Sequence, residues 1–173
     1  KKNLELWVFD DVKADPPEKN IFDAVNIFKK NNCDAVIGLG GGSSMDVAKA
    51  VSYFAANETD IKSCYGVGKL KSERMPLIQI PTTAGTGSEE TDFAVVYSNK
   101  LKYSIMKENL KPSLSLIDPY FTKSTPKYLS ASAGFDALTQ SIESYWSINS
   151  SKESRELSKR SIKIILTFLK EFI

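Results

Sequence analysis

Asp34-Ala-Val-Ile-Gly-Leu-Gly-Gly-Gly-Ser-Ser-Met-Asp46 decides how the rest of the chain is read. Ala35 to Leu39 are apolar and partly β-branched, which predicts a buried strand. Three glycines follow, Gly40 to Gly42, and Ser43 or Ser44 then opens a helix. Strand, glycine turn and helix N-terminus together make an anion site. The glycines let backbone N–H groups approach an oxyanion, and the helix end adds about half a positive charge. A phosphate or pyrophosphate is the expected guest. The stretch is not G-x-G-x-x-G, because counting from Gly38 puts Ser43 where the third glycine belongs, and no Gly-Lys-Ser/Thr follows as in a Walker A loop. A plain strand-to-helix turn would need one such glycine rather than three. Asp46 and Lys49 fall in the first turns of the predicted helix, either as solvated surface charges or as contacts to a bound dinucleotide.

Working outward, Leu4-Glu-Leu-Trp-Val-Phe9 alternates and predicts a strand. Asp15-Pro-Pro reads as a turn, with Pro17 at the start of a helix whose apolar stripe is Ile21, Phe22, Val25, Ile27 and Phe28 and which ends near Asn31-Asn32. With the central strand and the helix carrying Val47, Ala48, Val51, Tyr53 and Phe54, this is a βαβα unit on a parallel sheet. Ligands of such sheets bind beyond the carboxyl ends of the strands, where the glycines fall. Asp60 to Arg74 is polar and reads as a surface loop, and Leu77-Ile-Gln-Ile80 is a strand closed by Pro81.

Pro81-Thr-Thr-Ala-Gly-Thr-Gly-Ser88 is the second informative run. Its small residues offer hydroxyls and backbone N–H groups just after a strand, suited to phosphate, ribose or amide groups, or else to a flexible connector. Thr91 to Tyr97 and Lys102 to Met106 read as a hairpin about Ser98-Asn-Lys, and Leu114 to Ile117 as a last strand. The periodicity then turns helical: one helix starts at Pro126 to Leu129, a second covers Ser132 to Trp146, and a third Glu153 to Phe172. The change falls near Asp118 to Thr125, giving an α/β domain over 1–119 and the beginning of a helical one over 120–173. Asp136, Gln140 and Glu143 share one helix face, as a solvated stripe or as oxygen ligands turned into a cleft.

Composition narrows the class. The 173 residues are 42% hydrophobic and 25% charged, as in ordinary globular domains, and the net charge of +2 makes no case for nucleic acid or an anionic membrane. Nothing approaches the ~20 apolar residues of a membrane span. Cys33 and Cys64 form no metal or redox motif and point to a reducing, cytoplasmic setting. There is no histidine, so acid–base or metal chemistry must use other side chains. Both ends read as cut: charged residues directly precede a strand, and the chain stops inside an apolar helical pattern at Phe172-Ile173.

Taken together, GGGSSMDVAK (40–49), PTTAGTGSE (81–89) and DALTQSIESY (136–145) resemble the iron-containing (group III) alcohol dehydrogenases, of the dehydroquinate synthase-like fold. The resemblance implies an N-terminal dinucleotide-binding domain with a parallel sheet, lacking its first βα unit here, followed by a helical metal- and substrate-binding domain. It implies that Gly41, Gly42 and Ser43 hold the pyrophosphate of NAD or NADP, with Asp46 on the nicotinamide side of the cleft. Thr82, Thr83 and Ser88 match the second cofactor loop, Lys102 a lysine that reaches the cofactor ribose, and Asp136 the first ligand of a divalent metal. Gln140 stands where the family reads histidine, and the family's two further histidines would lie beyond residue 173. An amide oxygen is a weaker, harder donor than imidazole. Iron, zinc, another metal or none therefore stay open.

The implied reaction is hydride transfer between NAD(P)H and a small aldehyde or alcohol, with no base among these residues. The Gln-Ser-Ile-Glu-Ser-Tyr-Trp-Ser wording is similar to a branch that reduces phosphonoacetaldehyde. Two alternatives stand beside it: a metal-dependent lyase or synthase of the same fold, and a nucleotide-binding protein without its metal. The expected partners are a small-molecule substrate and a second copy in a homodimer, with no nucleic acid and no membrane. For residues 1–173 alone, little or no activity is expected.

Overall fold

The computed structural model describes residues 4–70 and 73–172. Its helices are α1 (Glu18–Lys30), α2 (Gly42–Ala56), α3 (Lys127–Trp146) and α4 (Lys152–Phe172). Its strands are β1 (Val36–Gly40), β2 (Gly66–Val67), β3 (Leu77–Pro81), β4 (Phe93–Ser98), β5 (Leu101–Met106) and β6 (Leu114–Ser115). They divide into two compact units. The first is built from the chain up to Pro81 together with Ser88–Ile117, the second from Thr82–Gly87 and the chain from Asp118 onward.

The first unit is α/β. A parallel sheet runs in the order β1-β3-β6, with Gly40 beside Pro81, so two neighbouring strands end at one level. A second sheet runs β2-β5-β4. Its β4–β5 hairpin turns through Asn99 and Lys100, both at positive φ (50° and 65°), a two-residue turn whose twist matches that of the strands. The core lies between α1, α2 and the second sheet: Ile21, Val25 and Phe28 meet Val51, Phe54, Val96 and Ile105. Every residue of α2 from Met45 to Phe54 is buried, as expected of a helix that is apolar nearly all round. The face of the parallel sheet that carries Ile37 and Leu39 is different, since each of these side chains is 53% exposed.

The second unit is a helical hairpin of α3 and α4, with the Thr82–Gly87 loop laid on α3. Gly134 packs under Leu169, and Ser141 Oγ donates to the Ala137 carbonyl and bonds Ser161 at 2.8 Å across the pair.

Four sequence-based expectations change. Leu4 to Phe9 is not a strand: Leu4, Leu6 and Val8 are each more than 70% exposed. Extended backbone becomes a strand only where a neighbour takes up its N–H and C=O groups, and no described strand does so. Asp60 to Arg74 is more than a surface loop, because Ile61, Cys64 and Leu70 are buried and β2 pairs with β5. The helix after the glycines starts at Gly42 with Gly41 as its cap, not at a serine. The two helices expected over Pro126 to Trp146 are one. Ser130-Ala-Ser-Ala-Gly134 suggests a break, but α3 runs through it, and Leu169 fills the space that a side chain at Gly134 would occupy.

Truncation in the core and on the open sheet face should differ sharply. Phe54→Ala, at a site 2% exposed, is expected to cost about 3–5 kcal/mol of stability. Ile37→Ala should cost less than about 1 kcal/mol, both read from the urea midpoint at constant slope.

Candidate functional site

The C-terminal end of β1 leads straight into α2 through Gly40 and Gly41. Gly40 has φ +152°, and a Cβ there would lie 2.6 Å from Ser44 Oγ, so the turn closes only with glycine. Gly41 is extended, no side chain caps α2, and its first turn carries no acidic residue. The helix therefore presents its opening N–H groups and positive dipole end without an internal anion. Gly41, Gly42, Ser43 and Ser44 are half-buried around this end. The donor set and the narrow glycine turn fit a phosphate group.

One turn further in, Asp46 and Lys49 are neither surface charges nor open to solvent: Asp46 is 8% exposed and Lys49 0%. Asp46 Oδ1 accepts from Ser88 Oγ at 2.8 Å and Oδ2 from the Val95 N–H at 2.9 Å. The Lys49 ammonium donates to Ser88 Oγ at 3.0 Å, Thr91 Oγ1 at 2.8 Å and the Phe93 carbonyl at 2.8 Å, and its Nζ lies 5.7 Å from the centre of the Phe93 ring. Thr91 Oγ1 in turn donates to the Ser88 carbonyl. These bonds close a polar brace between α2, the turn at Ser88 and β4.

Burial sets the electrostatics of the brace. It pushes the Asp46 carboxyl up from its ordinary value, although the Val95 N–H, Ser88, Lys49 and Lys102 all favour the anion. It also pushes Lys49 down to about 8, with Asp46, Asp92 and Glu89 opposing that shift. Lys102 is exposed on β5, within electrostatic reach of Asp46. The first unit thus gathers Gly41, Gly42, Ser43, Asp46, Ser88 and Lys102 around the start of α2 and the hairpin beside it.

Thr82, Thr83, Asp136 and Gln140 belong to the second unit. There Thr125 Oγ1 donates to the Thr82 carbonyl at 3.3 Å, and both threonines of the loop are half-buried. Gly85 lies so near α3 that a Cβ would be 2.7 Å from the Ala133 carbonyl oxygen. Glycine at this position is what lets the loop lie on the helix. Asp136 and Gln140 are one turn apart on α3, both exposed. They supply two oxygen donors, and among the described residues no three His, Cys, Asp or Glu side chains cluster around a common point. These two residues by themselves do not make a closed metal site.

The sequence reading missed the brace. Nothing in the sequence singles out Thr91 or the Phe93 carbonyl, and Ser88 stands out only as a match to the cofactor loop; its hydroxyl is buried and bonded on both sides. One signal was available. Asp46 and Lys49, three apart, interrupt a helix that has no polar face for them to use.

The family described as iron-containing alcohol dehydrogenase matches residues 1–119. The NAD-dependent methanol dehydrogenase of Bacillus methanolicus is 34% identical over 168 residues, which are 96% of this chain and 44% of that protein. A crystal structure of a 1,3-propanediol oxidoreductase superposes with a TM-score of 0.94 at 31% identity, over 96% of this chain and 44% of its own. The sulfoacetaldehyde reductase of Bifidobacterium kashiwanohense, solved with NAD+, gives 0.87 at 34% identity over 92% and 43%. The chain spans less than half the length of each of these relatives. With the family match covering more than half of its residues and the same α/β-then-helical order in its structural neighbours, the chain belongs to the iron-containing alcohol dehydrogenase family.

Proposed function

We propose that these residues form the cofactor-binding half of an oxidoreductase that moves a hydride between NAD(H) and a small alcohol or aldehyde. The observation that carries this reading is the uncapped N-terminus of α2 behind the Gly40 turn. In it, the N–H groups of Gly41, Gly42 and Ser43 hold the pyrophosphate, while Thr82 and Thr83 supply neutral hydrogen bonds to the rest of the cofactor. Lys102 reaches the ribose, and Asp46 orients the nicotinamide end through the second lone pairs of its oxygens. The nicotinamide supplies the hydride, and the protein supplies orientation and electrostatics. Residues 1–119 act as the dinucleotide domain and 120–173 as the start of the helical one.

A divalent metal, iron by family, belongs to the same proposal, with Asp136 as one ligand and Gln140 as a second. Two oxygen donors leave the ion short of the usual four, so this pair alone does not complete its coordination. For the substrate, the sequence around Gln140 and the likeness to a sulfoacetaldehyde reductase support a two-carbon aldehyde bearing a phosphonate or sulfonate. The working assembly is a homodimer in the cytoplasm; no described helix is long and apolar enough to cross a membrane. The glutamine at 140 also favours a second reading, nucleotide binding without redox turnover.

NADH oxidation by the full-length protein with phosphonoacetaldehyde, sulfoacetaldehyde, 3-hydroxypropanal and propanal separates these readings. Turnover preferring the two anionic aldehydes supports the proposal, and tight NADH binding without turnover on any aldehyde or added metal supports the second reading. Gly40→Ala, which must strain φ +152° and displace Ser44, is expected to weaken NADH binding at least tenfold by fluorescence titration. Gln140→His should raise metal content per chain on elemental analysis, because imidazole replaces the weaker amide donor.

A further inference from the structure

Strand β3 carries Gln79 on its buried face, between Leu77 and Pro81, and the side chain is 0% exposed. Its amide Nε2 donates to the Met45 carbonyl of α2 at 3.0 Å, and its Oε1 is buried with no hydrogen-bond partner among the described residues. We propose that Gln79 is a positioning residue for the cofactor: its amide pins the first turn of α2, where the proposed pyrophosphate site lies, and does so at the expense of folding stability. This rests on the cofactor reading above.

The connection runs from the middle of the sheet to the helix end. Gln79 is aligned with Gly38 of β1 on one side and with Ser115 of β6 on the other, so its backbone is held by both neighbours. Met45 carries the link onward, since its own N–H donates to the Gly41 carbonyl at 3.1 Å and so closes the first turn of α2. Gly42 and Ser43 lie within that turn. Gly38 makes the arrangement possible: a Cβ there would stand 2.5 Å from Gln79 Oε1. A glycine in the middle of a strand marks such a close approach. The amide has one orientation, because turning it over would set Oε1 against the Met45 carbonyl oxygen.

The sign of the stability effect follows from the unmatched oxygen. A buried amide carbonyl without a donor costs more than the single bond from Nε2 returns. An unbranched apolar side chain of similar volume would fill the same space and remove the orphaned oxygen. Packing alone would therefore favour methionine at 79. A buried polar group that stability does not explain, tied to a turn beside a ligand site, is the mark of a side chain kept for geometry. Removing a merely structural bond lowers stability and affinity together. Removing this one moves them in opposite directions.

The test compares the full-length wild type with Gln79→Met, by binding of NADH and of ADP-ribose and by unfolding temperature without ligand. Gln79→Met is expected to bind both ligands about three- to tenfold more weakly, the loss of one neutral hydrogen bond, while its unfolding temperature rises by about 1–2 °C. Gln79→Asn, whose amide is one methylene too short to reach Met45, should lose the same affinity with no gain in unfolding temperature. Three results each overturn the role of Gln79 and leave the cofactor reading standing: a folded variant with wild-type affinity, a loss seen with NADH but not with ADP-ribose, or a Gln79→Met that unfolds at a lower temperature or does not fold. A wild type that binds neither ligand overturns both.

Discussion

An ammonium group without water must be given oxygens, and the placement of Lys49 imposes that constraint on the first unit. The side chain is wholly buried in a helix whose residues from Met45 to Phe54 are all inaccessible. Removing such a charge from water costs several kcal/mol unless each N–H is matched. The match comes from the Ser88 turn and from the first residue of β4, which must then sit against α2. The Asp46 carboxylate, one turn earlier, is satisfied by the same serine and by the Val95 N–H. Hydrophobic packing would hold α2 against the sheets in many nearby registers. The three directed bonds of Lys49 select one of them.

That selection matters because the end of α2 proposed to bind the cofactor phosphates lies on the same helix. The turn at Gly40 aims the helix N-terminus, and the brace one turn later fixes where the chain re-enters after its hydroxyl-rich loop. The open helix end and the polar brace are thus consecutive parts of one helix. The unit proposed to hold the metal is built otherwise. Asp136 and Gln140 stand exposed on α3 and offer oxygen atoms, and among the described residues no cluster of three His, Cys, Asp or Glu side chains is present to form a coordination shell. The family match itself ends at residue 119, before α3 begins.

Much of the fold could be read from the amino acids because the relevant forces are local. The strand–glycine–helix unit, the Leu77 strand, the Asn99–Lys100 hairpin and the amphipathic α4 each follow from periodicity or turn chemistry. Where the reading failed, a distant partner decided. Residues 4–9 have the alternation of a strand but no described neighbour to pair with. The polar look of residues 60–74 conceals three apolar side chains that the core takes up. Gly134 weakens an isolated helix, yet α3 continues through it with Leu169, thirty-five residues away, packed in the space a side chain would take. Asp46 and Lys49 were visible as charges, but their burial depends on β4 arriving from more than forty residues downstream.

The parallel sheet has one further consequence. The edge strand β1 offers one side of its backbone to no described strand, and Ile37 and Leu39 on its open face are joined by exposed Leu114 and Leu116 near β6. Parallel sheets are ordinarily covered on both faces, and an uncovered apolar face beside an unpaired edge is a template for further strands. A net charge of +2 supplies little repulsion between molecules. For the chain as a solute on its own, that face therefore favours self-association, and light scattering that grows with concentration is the expected outcome.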